Sequence, residues 1–366
     1  MLSKFTLCLV LTPTLFSQTV QKIDHAPTDL RPIAAPPYGR TEKSPDAMYL
    51  YQWPGVYFLL SYQGPALYFK VGPGRQNLHI VVDHQSLPPL VTRDPGTYRL
   101  ATPAPGTHSV RIESAGENQD APKSIGAFSV PSAGKNFPIP ETSENTRQIE
   151  FIGDSHTVGY GNTSNSRDCS QDEVWATTDT TQSTAADVAA HYGANYQINA
   201  ISGHGIVRNY DGSPGDPVPV AYPFTLLGEH KEHRYNDPQW HPSVIAVSLG
   251  TNDFSTPLHP GEPWKTRAEL HSAFEQTYVA FVRTLRQRNP NALIILWSTD
   301  LADGEIASEA KKVVQQLRDS GDQKLDFVEV HGLALNACHY HPSVADDRSI
   351  AEKLIQDIDA HKPVWP

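Results

Sequence analysis

The feature that most constrains the fold is a series of short, almost continuously apolar segments in the second half of the chain. They read QIEFIG, YQINAIS, VIAVSLG, ALIILWS and DFVEV. Strands that are covered on both faces have this composition, whereas strands with one solvated face alternate between apolar and polar residues. After the third segment, apolar residues at spacings of three and four predict a long helix, with a stripe formed by Leu270, Phe274, Tyr278, Phe281 and Leu285. Alternating strands and helices predict a parallel sheet in a three-layer α/β/α domain over residues 147–366.

The first half of the chain has a different rhythm, which predicts a small all-β domain. Short segments rich in Val, Ile, Tyr and Phe recur between Gly and Pro turns, and polar-apolar alternation is clearest around Val110 and Ile112. These segments are GVYFLLSYQG, ALYFKVG, LHIVVDH and THSVRIES. We expect an antiparallel, jelly-roll-like β-sandwich over residues 46–130. The polar, proline-containing residues 131–146 are predicted to link the two domains.

The N-terminus is typical of an exported protein. Lys4 precedes an apolar run that is too short to span a bilayer, so residues 1–19 are predicted to be a secretory signal peptide, with a buried N-terminal strand as the alternative. Residues 20–45 contain five prolines among polar residues and predict an extended leader outside the packed structure. We therefore expect a secreted or periplasmic protein.

Charge and cysteine content narrow the partners and the covalent links. The formal net charge of −11 disfavours nucleic-acid and anionic-membrane partners, which need clustered Lys and Arg, and a neutral or sugar-like ligand fits better. Removal of the signal peptide would take Cys8 with it and leave Cys169 and Cys338. A disulfide between them and two unrelated buried thiols are both compatible with the sequence.

Residues suited to acyl transfer follow directly after three of the predicted strands. Ser155 ends the first in GDS, Gly203 follows the second in SGHG, and Asn252 follows the third in GTND. Ligands of open parallel sheets bind beyond the carboxyl ends of the strands, so we expect these residues to converge, together with the late His341. Acyl transfer needs a nucleophile, a base and preorganised donors for the oxyanion. The predicted nucleophile is Ser155 and the base His341, with the Ser155 and Gly203 backbone N–H groups and the Asn252 amide as donors.

Each of these residues has a structural alternative. Ser155 could merely cap the following helix, and His341 could be a packing or surface residue. Asn252 could close a turn, as could Gly203, for which Gly205 is the less favoured substitute as a donor.

The four motifs, in this order, resemble those of the SGNH (GDSL-type) hydrolases. The longer segments GDSHTVGYGN, NAISGHGIVRNY, SLGTNDFS and HYHPSVADD, preceded by a β-sandwich, resemble carbohydrate esterase family 2. This resemblance implies a secreted enzyme that removes O-acetyl groups from plant polysaccharides such as xylan and glucomannan, often at the sugar 6-position. It also implies an acetylated polysaccharide or oligosaccharide as the partner, and no metal or cofactor.

The chain departs from the wider hydrolase pattern just before His341. In that pattern an aspartate two or three residues earlier orients the imidazole, but Cys338 and His339 occupy these positions. We expect a backbone carbonyl, or an acid from elsewhere, to orient His341. Asp346 and Asp347 are candidates that we disfavour, because Asp346 forms an S-x-x-D capping box with Ser343.

A zinc site is a second possible use of the late histidines. It would involve His331, Cys338, His339 and His341. We disfavour it because no second ligand pair at zinc-finger spacing is present and because the serine motifs would stay unexplained.

Aromatic residues near the strand ends are candidates for substrate contacts, since aromatic faces stack on sugar rings. Tyr210 and Trp240 lie on the long loop between the second and third strands, and Trp297 closes the fourth. Packing by the loop's own side chains is the alternative. Whether the β-sandwich binds sugar or closes one wall of the site remains open.

Two other functions are compatible with the sequence. A lipid or aryl esterase of the same fold predicts activity that rises with acyl length. A carbohydrate-binding protein with an idle serine site is the non-enzymatic alternative, and the complete set of catalytic residues argues against it.

Overall fold

The computed structural model describes residues 18–102, 106–132, 135–136 and 147–365. Its first part is a sandwich of two seven-stranded sheets in which all neighbouring strands are antiparallel. The strands are β1 (Thr19–Ile23), β2 (Leu30–Pro32), β3 (Pro37–Tyr38), β4 (Glu42–Lys43), β5 (Met48–Tyr51), β6 (Tyr57–Gln63), β7 (Ala66–Val71), β8 (Gln76–Val82), β9 (Gln85–Ser86), β10 (Leu90–Thr92), β11 (Gly96–Ala101), β12 (Thr107–Ser114), β13 (Lys123–Pro131) and β14 (Lys135–Asn136).

The order of the strands confirms the predicted antiparallel all-β domain. One sheet runs β1-β11-β7-β13-β5-β4, with β2 on β13, and the other runs β10-β8-β12-β6-β14, with β3 on β6 and β9 on β8. Burial alternates along β8 and β12, and their inward residues Ile80 and Ile112 pack in one core with Leu67 and Phe69 of the facing sheet. The period-two pattern of the sequence therefore identifies the faces that meet.

The prediction of an extended leader over residues 20–45 is wrong, because this segment contributes strands to the β-sandwich and residues to its core. β1 pairs with β11 from Thr19 to Ile23, and β2 and β3 pair with β13 and β6. Ile33 and Ala35 are buried in the sandwich core. Prolines are tolerated here because these strands are very short, so little of the ladder depends on their missing N–H groups.

Two other predicted segments fall largely outside the described residues. Residues 1–17 of the predicted signal peptide are among these, and so is most of the predicted linker. Within the linker, β14 pairs with β6, so this part of the segment extends the sandwich.

The second part of the chain is the predicted α/β domain. Its strands are β15 (Gln148–Gly153), β16 (Asn195–Ala200), β17 (Val244–Ser248), β18 (Leu293–Thr299) and β19 (Leu325–Val330). Its helices are α1 (Ser155–Val158), α2 (Gln171–Thr177), α3 (Thr184–Tyr192), α4 (Val218–Ala221), α5 (Thr251–Phe254), α6 (Arg267–Arg288), α7 (Glu305–Asp319) and α8 (Val344–Ala360). All neighbouring strands are parallel, in the order β16-β15-β17-β18-β19.

Helices cover both faces of this sheet, which confirms the three layers. On one face, α6 and α7 pack against the sheet, and all five residues of the predicted apolar stripe on α6 are buried there. On the other face, α3 and α8 pack together. The strand order reverses around β15, so the carboxyl end of β15 is where a ligand is expected. Among the described residues, no helix combines the length and the apolarity that crossing a membrane requires.

Candidate active site

A cleft of about 700 Å³ lies between the two domains, beyond the carboxyl ends of the parallel strands. The α/β domain lines it with residues that include Ser155, Tyr160, Trp175, Gly203, Tyr210, Asn252 and His341. The β-sandwich lines it with residues 75–77 and 114–120. The sandwich therefore forms one wall of the cleft.

Ser155 stands at the tip of β15, where the strand turns into α1. The N-cap of α1 is Asp154, whose carboxylate accepts a hydrogen bond from the His156 N–H at 3.0 Å, so Ser155 is not the cap. Gly153 is required just before this turn, because a Cβ there would lie 2.0 Å from Thr157 Oγ1. The tight turn leaves Ser155 only 5% exposed but in the lining of the cleft.

His341 contacts the serine directly. Its Nε2 lies 2.8 Å from Ser155 Oγ, and its Nδ1 lies 2.9 Å from the Cys338 carbonyl and 3.2 Å from the His339 carbonyl. A carbonyl oxygen can only accept, so Nδ1 carries the proton and Nε2 presents its lone pair to the Ser155 hydroxyl. Burial lowers the pKa of His341 to about 4, so the imidazole is neutral at pH 7.

Backbone carbonyls therefore orient His341, in agreement with one of the two predicted alternatives. The capping box of α8 confirms the assignment of Asp346, which accepts from both the backbone and the side chain of Ser343. Asp347 is buried and bonded to Asn162 and Thr184. Both carboxylates thus have structural partners.

A disulfide anchors the segment that carries the histidine. Cys169 and Cys338 are bonded, with their Cα atoms 5.5 Å apart. The bond links the approach to α2 with the residue whose carbonyl holds His341. It also removes Cys338 from the ligands available for zinc.

The predicted oxyanion donors line the same cleft, and their existing bonds differ. In the part of the chain that the structure describes, the backbone N–H groups of Ser155 and Gly203 have no hydrogen-bond acceptor. The Gly205 N–H donates to Asn209 Oδ1 at 3.3 Å, which favours Gly203 over Gly205 as a donor. The Asn252 amide donates to Asp154 Oδ2 at 3.2 Å and to the His204 carbonyl at 2.9 Å. An oxyanion would have to share one of its two hydrogens.

Two buried aspartates support these donors. Burial raises the pKa of Asp154 to about 7 and that of Asp253 to about 6. Asp154 joins α1 to Asn252 and so has a structural role. Asp253, whose role the sequence analysis missed, accepts the backbone N–H groups of residues 206–208 at 2.9 Å each and fixes the loop that follows Gly203.

Comparisons with known proteins decide the family. Residues 38–140 match the family model described as carbohydrate esterase 2 N-terminal, and residues 151–354 match that of the GDSL-like lipase/acylhydrolase family. An acetylxylan esterase / glucomannan deacetylase of Cellvibrio japonicus (strain Ueda107) is 41% identical over 321 residues, which cover 87% of each chain. The chain belongs to carbohydrate esterase family 2. It is a carboxylic-ester hydrolase.

Solved structures of the same family have the same architecture. A carbohydrate esterase whose active site is described as having divergent catalytic and non-catalytic binding functions is 38% identical, with a TM-score of 0.84, and the match covers 92% of this chain and 100% of that one. A family two carbohydrate esterase from Clostridium thermocellum in complex with cellohexaose is 26% identical, with a TM-score of 0.78, and the match covers 91% and 100%.

The aromatic residues predicted to contact the substrate of this family 2 esterase are only partly at the cleft. Tyr210 lines it and is 53% exposed. Trp297 is 2% exposed because β18 is covered on both faces, so its place is in the core. Trp240 is absent from the described lining of the cleft. The predictions for Trp297 and Trp240 are therefore wrong.

Two aromatic residues that the sequence analysis missed line the cleft of the esterase. Trp175 is on α2, and the Arg75 guanidinium of the sandwich lies 3.6 Å from the centre of its ring. The Tyr160 ring centre lies 4.3 Å from that of His341. Both follow β15 in a region without strong hydrophobic periodicity. Only their proximity to the serine motif in the sequence could have singled them out.

Proposed function

We propose that this family 2 esterase is a secreted carbohydrate O-acetyl esterase that removes acetyl groups from plant polysaccharides such as xylan and glucomannan. The observation that carries the proposal is the 2.8 Å contact between Ser155 Oγ and His341 Nε2 at the base of a cleft between two domains. The name of the Cellvibrio relative, acetylxylan esterase / glucomannan deacetylase, supports the choice of substrate.

The reaction begins when Ser155 Oγ attacks the acetyl carbonyl carbon while His341 Nε2 accepts the hydroxyl proton. The negative charge on the carbonyl oxygen is stabilised by the N–H groups of Ser155 and Gly203 and by the Asn252 amide. As the tetrahedral intermediate collapses, the bond to the sugar oxygen breaks and His341 protonates the leaving oxygen. Water then attacks the acetyl-enzyme while His341 Nε2 accepts its proton. As this second intermediate collapses, the bond to Ser155 Oγ breaks, His341 returns the proton to that oxygen, and acetate leaves.

Backbone carbonyls take the place of a triad carboxylate in this proposal. In a serine protease triad, the carboxylate fixes the histidine tautomer, and its replacement by an amide costs about ten thousandfold in rate. The Cys338 and His339 carbonyls accept the Nδ1–H of His341 and so select the same tautomer. Their dipoles also stabilise the imidazolium that forms during the attack.

The experiment that tests the proposal measures acetate released from acetylated xylan and acetylated glucomannan by wild type and by Ser155→Ala. We expect acetate from wild type, none above background from Ser155→Ala, and wild-type rates from the control Ser272→Ala on the exposed face of α6. Aryl esters of increasing acyl length should be hydrolysed more slowly as the chain grows. A lipid or aryl esterase would show the opposite trend, and a binding protein would release no acetate.

Export is tested separately, by fractionating the native producer or an expression host and sequencing the N-terminus of the protein. We expect an extracellular or periplasmic protein that begins no later than Thr19, because β1 pairs with β11 from this residue onward. The cleavage site would then lie at least one residue before the end of the signal peptide predicted over residues 1–19. A cytoplasmic protein that retains Lys4 would contradict the proposed export.

A further inference from the structure

The proposed donor Gly203 lies in a four-residue turn. The His204 N–H donates to the Ile201 carbonyl at 3.2 Å, so residues 201–204 form a β-turn with Ser202 and Gly203 at its centre. The φ angle of Gly203 is +83°, whereas that of Ser202 is negative. These angles define a type II turn, in which glycine adopts the third position without steric cost.

A type I turn would reverse the donor. Type I and type II turns differ by roughly 150° in ψ of the second residue and roughly 170° in φ of the third. The peptide between Ser202 and Gly203 therefore points its N–H and C=O groups to opposite sides of the turn in the two forms. The availability of the Gly203 N–H to an oxyanion thus depends on ψ of Ser202.

Two side chains of the β-sandwich hold the groups on either side of this torsion. Glu117 Oε2 accepts the Ser202 N–H at 2.9 Å, and Gln119 Nε2 donates to the Ser202 carbonyl at 3.0 Å. The torsion ψ of Ser202 sets the relative direction of these two groups. The Ser202 carbonyl also belongs to the same planar peptide as the Gly203 N–H, so fixing one fixes the other.

In the part of the chain that the structure describes, contacts from the α/β domain hold the turn on either side of its central Ser202–Gly203 peptide. The Ile201 N–H donates to the Gly153 carbonyl at 3.1 Å, and the Gly203 carbonyl accepts from the Tyr210 N–H at 2.8 Å. Among the described residues, Gln119 is the donor to the Ser202 carbonyl. The central peptide is thus held from across the domain boundary.

We propose that Glu117 and Gln119 are positioning residues that keep the turn at residues 201–204 in its type II form and so direct the Gly203 N–H to the oxyanion. The inference rests on the proposed function, since the donor role of Gly203 belongs to it. It gives the sandwich a part in the chemical step in addition to forming a wall of the cleft.

The test compares kcat and KM for 4-nitrophenyl acetate, an ester without a sugar, in four variants. Gln119→Glu keeps the side-chain length but removes the donor, and Glu117→Ala removes the acceptor. We expect each to lower kcat about tenfold, less than the hundredfold or more for complete loss of an oxyanion donor. KM should change by less than about twofold in both. Glu117→Gln keeps an acceptor oxygen and should retain wild-type kcat, as should the control Gln85→Ala on the exposed strand β9.

The opposite pattern would overturn the inference. If Gln119→Glu and Glu117→Ala hydrolyse 4-nitrophenyl acetate like wild type and lose activity only on acetylated polysaccharide, the two residues contact the sugar instead. A loss in Glu117→Gln equal to that in Glu117→Ala would also contradict the positioning role.

A crystal structure of Gln119→Glu supplies a readout that does not depend on activity. We expect the turn to populate the type I form, with a negative φ at Gly203, whereas a fully retained type II turn would overturn the inference. If Ser155→Ala hydrolysed the ester like wild type, the proposed function would fail, but the orientation of this peptide would still decide whether Glu117 and Gln119 hold it.

Discussion

The two walls of the cleft are built differently. On the α/β wall, Ser155, Gly203 and Asn252 each lie within four residues of the end of a parallel strand, and buried backbone and aspartate contacts hold these segments. The sandwich wall consists mainly of residues 75–77, where β8 begins, and residues 114–120, where β12 ends. It contacts the other domain through the side chains of Arg75 and Gln119 and through the Ala115 carbonyl, which accepts the Thr180 N–H. The two walls therefore have different roles. The α/β wall supplies the reacting groups, and the sandwich wall orients one of them and shapes the binding surface.

Loss of the proposed base should have the largest effect. We expect His341→Ala to lower kcat for 4-nitrophenyl acetate by roughly 10⁵- to 10⁶-fold, as the loss of the nucleophile or base does in a serine protease. KM should change little. The matched control is His331→Ala, an exposed histidine after β19. A decrease in kcat of less than tenfold in His341→Ala would show that the α/β wall does not supply the base.

Removal of the side-chain oxyanion donor should rank second. Asn252→Ala is expected to lower kcat about 10²- to 10³-fold, because it removes an oxyanion donor. It also removes the hydrogen bonds by which Asn252 connects Asp154 with the His204 carbonyl. Steady-state kinetics with the aryl acetate, together with thermal unfolding, separate this loss from misfolding. Asn291→Ala, on the exposed turn before β18, is the control. Wild-type kcat in a folded Asn252→Ala variant would show that its two existing bonds are its whole role.

Loss of the disulfide tests whether the α/β wall owes its geometry to the fixed segment around Cys338. We expect the double variant Cys169→Ser, Cys338→Ser to lose about 2–5 kcal/mol of unfolding free energy. Its kcat should fall about tenfold, since the Cys338 carbonyl orients His341. Urea unfolding and ester hydrolysis measure the two effects. A reducing agent should lower the stability and kcat of wild type in the same way and leave the variant unchanged. If the variant and reduced wild type were as active as untreated wild type, the disulfide would not contribute to the orientation of His341.

The smallest effect is expected on the sandwich wall, outside the segment that holds the turn. Arg75→Ala removes the guanidinium that lies over Trp175 and should raise KM for acetylated xylan about threefold, consistent with a partly exposed cation–π contact. Hydrolysis of 4-nitrophenyl acetate should not change. Arg93→Ala, an exposed position after β10, is the control. A large decrease in kcat for the aryl ester would show that this part of the sandwich wall contributes to the chemical step and not only to polysaccharide binding.

The α/β wall was predictable from the sequence because local pattern determines it. Strands covered on both faces are continuously apolar, so β15 to β19 could be located, and residues at their carboxyl ends must converge in a parallel sheet. The contact between Ser155 and His341 follows the same topology. The carbonyl that orients His341 remained one of two alternatives, because backbone direction is not visible in residue types.

The contacts of the sandwich wall could not be predicted because neither the end of a parallel strand nor a repeating pattern marks the residues that make them. Glu117 and Gln119 meet Ser202 more than eighty residues along the chain, and their polar side chains resemble those of any connecting segment. Residues 20–45 were misjudged for a related reason. Their prolines suggested an unpacked leader, but Arg40 of this segment is 1% exposed and lies between Glu150 and aromatic rings of the α/β domain.

The proposed role of Ser155 as the nucleophile is tested most directly by trapping the acetyl-enzyme. The enzyme is mixed briefly with 4-nitrophenyl acetate, quenched in acid, digested and analysed by mass spectrometry, with Ser155→Ala treated in parallel. We predict an acetyl group on the wild-type peptide that contains Ser155, and no acetylation at this site and no turnover in the variant. An acetyl group on a different side chain that forms and decays at the rate of turnover, or full turnover by Ser155→Ala, would contradict it.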